Sequence, residues 1–142
     1  MAANGSSIRS LFELKGRNYV VTGGAQGIGF ATVRAICEMG GNVAVLDVQA
    51  KPREDLDAVA KEFNSKVSYF QADVSDEASL QSAFDKAVEF LGTIDGAVTA
   101  AGIAIDKAFV SQTWQEVERI QKINVSDTSG HLHKYATYCT DK

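Results

Sequence analysis

Four short runs of mostly apolar residues alternate along this chain with segments whose apolar residues recur at helical spacing. The runs are 18–22, Asn42 to Asp47, Val67 to Ala72 and Ile94 to Thr99. Runs of this length and continuity predict strands covered on both faces. Between them the period lengthens. Ile28, Ala31, Ala35, Ile36 and Met39 share one helical face, which Gly40-Gly41 ends. Pro52 suits the first turn of a second helix, continued by Leu56, Val59, Ala60 and Phe63. Ser75 is the expected cap of a third, whose stripe is Leu80, Ala83, Phe84, Ala87, Val88 and Leu91. Thr113 and Glu116 have the spacing of a capping box and open a fourth, with Trp114, Val117, Ile120 and Ile123 expected to face inward.

Strands alternating with helices imply parallel strands joined by right-handed crossovers. The expected fold is α/β, a Rossmann-type doubly wound parallel sheet ordered 3-2-1-4 and truncated after about four strands. Residues 1–14 read as a polar arm with an apolar touch-down at Leu11, Phe12 and Leu14, and 15–125 as the partial domain. The pattern decays after Val125, so 126–142 is expected to be a disordered tail.

Composition narrows the function. A net charge of −4 and a pI near 5.1, with no run of Lys or Arg, argue against a nucleic-acid surface. The two cysteines, Cys37 and Cys139, fit no metal spacing, and Cys37 falls on a helix's inner face, where a free thiol acts as a small hydrophobe. Reduced cysteines, no signal-like N-terminus and no apolar run of membrane-spanning length point to a cytoplasmic protein. His131, His133 and Cys139 are too few and too loosely spaced for a structural zinc, so no metal is expected.

The chemistry lies in the turn after the first strand. Thr22-Gly23-Gly24-Ala25-Gln26-Gly27-Ile28-Gly29 passes from strand to helix through glycines. Such a turn lets the backbone approach a pyrophosphate, whose charge sits on the free N–H groups of the new helix. Asp47 ends the next strand, 18 residues past Gly29, where a carboxylate reads ribose hydroxyls. The spacing is G-x3-G-x-G, not the commoner G-x-G-x-x-G, and the strand, helix and carboxylate around it carry the assignment.

With Asp73-Val74, Ala101-Gly102 and Asn124-Val125 following in order, residues 11–125 resemble the short-chain dehydrogenase/reductase family, within it most nearly fungal sugar- and polyol-type reductases. The resemblance implies hydride transfer between a nicotinamide cofactor and an alcohol/carbonyl pair such as a polyol or ketose. It implies that backbone around Gly23, Gln26, Gly27, Ile28 and Gly29 holds the pyrophosphate and that Asp47 binds the adenosine ribose. The Asp47 charge would repel a 2′-phosphate, favouring NAD over NADP; Lys51 and Arg53 nearby read as a solvated helix start. Asp73 and Val74 would flank the adenine. Ala100, Ala101 and Gly102 would run along the nicotinamide-side ribose, with Thr99-Ala100 standing where the family commonly has two asparagines. The implied partners are the dinucleotide, a small alcohol or carbonyl and, at full length, a second copy.

Family catalysis uses Asn, Ser, Tyr and Lys, and Asn124 matches the first. Tyr138 and Lys142 have the Tyr-x-x-x-Lys spacing, but only 13 residues separate Asn124 from Tyr138. A parallel crossover alone takes about a dozen or more residues. The pair therefore reads as a coincidence, and Ser126 and Ser129 fail as the substrate serine for the same reason. The alternative expectation is a dinucleotide-binding remnant without turnover.

Overall fold

The computed structural model describes residues 8–126. Four parallel strands, β1 (Asn18–Thr22), β2 (Asn42–Asp47), β3 (Val67–Gln71) and β4 (Gly96–Thr99), form one sheet in the order β3-β2-β1-β4. Four α-helices intervene: α1 (Gly27–Glu38), α2 (Leu56–Phe63), α3 (Glu77–Leu91) and α4 (Trp114–Gln121). Short 3₁₀ turns occupy Ile8–Leu11 and Phe109–Ser111, and a π turn, Lys122–Ser126, continues α4. The expected fold class and strand order hold. No helix among the described residues is long and apolar enough to cross a membrane.

Period-two geometry splits the apolar strands between two cores. Val20, Ala44 and Leu46 pack with Leu80, Ala83, Phe84 and Ala87 of α3. Val21, Val43 and Val45 point the other way and meet Val33, Ile36 and Cys37 of α1 and Leu56 and Val59 of α2. Both faces of β1 and β2 are thus dry, as their unbroken apolar sequences require. Cys37 is buried, and burial pushes its thiol pKa up. At the strands' N-terminal end the buried Asn18 joins three segments. Its amide donates to the Leu91 carbonyl (3.2 Å) and the Thr93 hydroxyl (3.1 Å), and its Oδ1 accepts from Asn42 (2.9 Å).

Several local expectations are corrected. The buried face of α1 is Gly29, Val33, Ile36 and Cys37; Ala31 and Ala35 are exposed, Met39 is half-buried, and Ile28 is 84% exposed. The reason is Gly29, which presses on the Gly23 carbonyl and so sets the helix's rotation. The cap of α2 is Asp55, accepting from Ala58 N–H at 2.9 Å, rather than a start at Pro52. The cap of α3 is Asp76, accepting from Ser79 N–H at 2.7 Å, because Ser75 is engaged by Asp73. Among the arm's described residues only Leu14 packs on the core; Leu11 and Phe12 are exposed. The capping box of α4 forms as read, but no residue of α4 is buried and Trp114 is 72% exposed. The box fixes where the helix starts, and of the expected stripe Val117, Ile120 and Ile123 are half-buried while Trp114 stays outside.

Candidate functional site

The parallel register brings all four strands to an end at one edge: Thr22 lies beside Leu46 and Thr99, and Asp47 beside Gln71. After β3 the chain crosses back to the far side of β1. Such a reversal in strand order opens a crevice at the strands' C-terminal ends. Here it is a cleft of about 980 Å³ lined by the loops after all four strands and by one face of α4.

The loop after β1 forms its floor. Gly23 N–H donates to the Leu46 carbonyl at 2.7 Å. Gly23 has φ +69°, and a Cβ there would lie 2.6 Å from the backbone of Ala100 and Ala101. A Cβ on Gly29 would collide with the Gly23 carbonyl. These two contacts draw the turn, the start of α1 and the loop after β4 together, which only glycine permits. The N-cap of α1 is Gln26, which makes no side-chain capping bond, and the first turn carries no acidic residue. The other three α-helices are capped by their own side chains. The amino end of α1, with its positive end of the helix dipole, therefore faces the cleft open to an anion.

Asp47, 7% exposed, lines the same cleft. Its Oδ2 accepts from Ala25 N–H (3.1 Å) and its Oδ1 from Gln49 N–H (3.2 Å), so the carboxylate is locked against the glycine loop. Below it the Tyr69 hydroxyl donates to the Gln49 carbonyl at 2.6 Å. Burial, with the Asp47 charge adding to it, pushes that phenol up to about 12. Asp73 accepts at Oδ1 from both the hydroxyl (2.7 Å) and the N–H (2.8 Å) of Ser75. These bonds, assisted by the nearby Lys122 and Arg119 charges, hold its carboxyl below the usual range.

Every residue that the sequence nominated for the cofactor lines this cleft: Gly23, Gln26, Gly27, Ile28, Gly29, Asp47, Asp73, Val74, Ala100, Ala101 and Gly102. Asn124 stands behind it. Its Oδ1 accepts from Ile103 N–H (2.9 Å) and its Nδ2 donates to the Ile103 carbonyl (3.0 Å), which fixes the loop that Ile103 brings to the cleft. Support for Ala100 and Ala101 comes from Thr22, whose carbonyl and hydroxyl accept their N–H groups at 3.1 and 3.4 Å. One expectation is corrected, that Arg53 belongs to a solvated helix start, and one feature escaped the sequence reading. Arg53 lines the cleft, drawn in by its N–H bond to the Ala25 carbonyl (3.2 Å) and its side-chain bond to Gln49 (3.1 Å), whereas Lys51 does not. Arg119 and Lys122 line it from α4. Nothing local in the sequence marks Arg119 and Lys122, because helix placement brings them in, and loop folding decides that Arg53 and not Lys51 reaches the cleft. Tyr138, Lys142, Ser129, His131, His133 and Cys139 lie outside the described residues. Among those described, no cluster of three His, Cys, Asp or Glu could hold a metal.

A family model described as enoyl-(acyl carrier protein) reductase matches residues 23–140. A short-chain dehydrogenase/reductase of Armillaria gallica is 36% identical over 116 residues, covering 80% of this chain and 44% of the relative. The crystal structure of a short-chain type dehydrogenase/reductase from Mycobacterium marinum superposes with a TM-score of 0.85 at 30% identity, over 95% of this chain and 55% of that one. An NADPH-dependent 3-quinuclidinone reductase from Rhodotorula rubra gives 0.82 at 26% identity, over 99% and 54%. The chain thus spans about half the length of the proteins it matches.

Proposed function

Because this chain belongs to the short-chain dehydrogenase/reductase family, we propose that its cleft holds a nicotinamide dinucleotide in a cytoplasmic oxidoreductase acting on an alcohol/carbonyl pair, a polyol or ketose among the candidates. The observation that carries this is the uncapped amino end of α1 opening into a cleft beside the buried Asp47. A cradle from which any Cβ at Gly23 or Gly29 is excluded, free helix N–H groups and a locked carboxylate fit a pyrophosphate and a ribose diol. When bound, the cofactor supplies the hydride. The chain's own residues bind and orient it: the Gly23–Gly29 turn takes the pyrophosphate, Asp47 the ribose, Asp73 and Val74 the adenine, and Ala100, Ala101 and Gly102 flank the nicotinamide side. Asn124 holds the Ile103 loop.

NAD is favoured over NADP, because a 2′-phosphate would meet the Asp47 carboxylate in a poorly solvated place. Arg53 opposes that preference from the same end of the cleft. Calorimetric titration with NADH and NADPH tests the reading. Binding of neither would overturn it, and tighter NADPH binding would overturn the role of Asp47.

One observation favours a second reading, a dinucleotide-binding unit without turnover of its own. Among the described residues the cleft has no tyrosine, and Lys122, its one lysine, comes from α4 beside Asp73. General acid help is worth about 10²–10⁴-fold. NADH absorbance followed with a panel of polyols, ketoses and secondary alcohols separates the two readings.

A further inference from the structure

Helix α4 is strongly amphipathic, yet none of its residues is buried, and among those described its extended contact is with the π turn that continues it. Two tethers hold it near the domain: the Asn124–Ile103 clamp, and the Lys107–Glu116 ion pair at 2.7 Å. The face opposite the sheet's edge carries Gln115, Glu118, Arg119, Lys122 and Ile123 into the cleft. Arg119 and Lys122 form no side-chain hydrogen bond or ion pair among the described residues. Their charges nonetheless reach Asp73 across the cleft and help to hold its carboxyl low. A helix so placed gives the cleft a wall held by two tethers and by the half-buried Val117, Ile120 and Ile123, with the Arg119 and Lys122 side chains left exposed. An occupant lying between Asp73 and α4 would bury that wall and gain contact with both cations.

We propose that Arg119 and Lys122 recognise the adenine end of the dinucleotide across the cleft from Asp73, and that this contact docks α4 onto the domain. The inference rests on the dinucleotide reading above. A planar guanidinium can stack on a purine ring, and an ammonium adds charge attraction toward the phosphates. The cations are cofactor-binding residues, and they act on affinity and on the order of α4 rather than on the hydride-transfer step.

Amide exchange of the 142-residue chain tests this with NADH, AMP and nicotinamide mononucleotide as separate ligands. NADH and AMP are expected to slow exchange across residues 114–123, and the mononucleotide to leave it unchanged. In calorimetry the Arg119→Ala/Lys122→Ala double variant should bind AMP about tenfold more weakly, the equivalent of about 1.4 kcal/mol. Its unliganded melting temperature should match the parent's, since both side chains are exposed. Arg119→Lys keeps the charge but not the plane, and should recover only part of the affinity. NADH binding that protects the glycine loop but not α4, AMP without effect, or unchanged AMP affinity in the double variant would each overturn this inference alone. A parent chain that binds neither NADH nor AMP would overturn the dinucleotide reading and this inference with it.

Discussion

Asn124 grips both ends of one residue's backbone: its Oδ1 accepts from Ile103 N–H at 2.9 Å and its Nδ2 donates to the Ile103 carbonyl at 3.0 Å. The amide imitates a neighbouring strand and closes the loop after β4 without one. It also stands 3.3 Å from where a Cβ on Gly102 would lie, so clamp and loop are fitted to each other.

Replacing Asn124 with Ala should remove both bonds and cost about 1–2 kcal/mol, at roughly one for each exposed hydrogen bond. Asn124→Asp keeps an acceptor and loses the donor, so it should fall between the two. Urea titrations measure the difference. Equal stability of parent and Asn124→Ala would show that the clamp holds nothing.

Two glycines of the same turn should respond unequally to one methyl group. A Cβ at Gly23 meets the backbone of Ala100 and Ala101 at 2.6 Å, and backbone has nowhere to go. Gly23→Ala is expected to cost about 3 kcal/mol and to abolish dinucleotide binding. At Gly27 the space is open and only the φ of +57° is unfavourable, so Gly27→Ala should cost about 1 kcal/mol. Thermal melts of the two variants give the comparison, and similar losses would contradict the steric account.

Asp47→Asn removes the charge and retains a carbonyl oxygen for one of the two loop N–H groups. The preference for NADH over NADPH should fall by about tenfold or more, since a shift of about 1.4 kcal/mol suffices for that. Titrating parent and variant with both cofactors decides it; an unchanged ratio would move the discrimination to Arg53.

Tyr69 gives the fold an alkaline limit. Its phenol sits at about 12 when folded, against an ordinary value near 10. A phenol whose folded pKa is raised contributes stability that is complete below the unfolded pKa. That stability is lost as pH rises from about 10 toward 12, because the unfolded chain releases its proton first. Tyr69→Phe should weaken the parent at neutral pH by about 1 kcal/mol through the lost bond to Gln49, and should flatten the alkaline fall. Denaturant melts across that range would expose the error if both proteins lost stability equally.

The local sequence was enough to determine the strands, the glycine turn and the carboxylate after β2, because each depends on residues close in the chain. Val20 and Val21, or Leu46 and Val45, declare two dry faces by adjacency alone. Gly23, Gly29 and Asp47 declare a cradle through their distance from strand ends. Tertiary structure decided what depends on rotation and on long-range placement. The apolar stripe read on α1 held only at Ile36 and in part at Met39; with Gly29 seated against the Gly23 carbonyl, Ile28 lies at the cleft and Val33 in the core. The stripe read on α4 is covered only in part, with Val117, Ile120 and Ile123 half-buried and Trp114 exposed, because amphipathic spacing states that a face can be buried and not what lies opposite it. Arg53 entered the site through a backbone bond to Ala25, and Arg119 and Lys122 through the position of a whole helix. Periodicity and capping are short-range properties carried within a few residues, whereas which side chains share a cleft is set by the register of strands far apart in the chain.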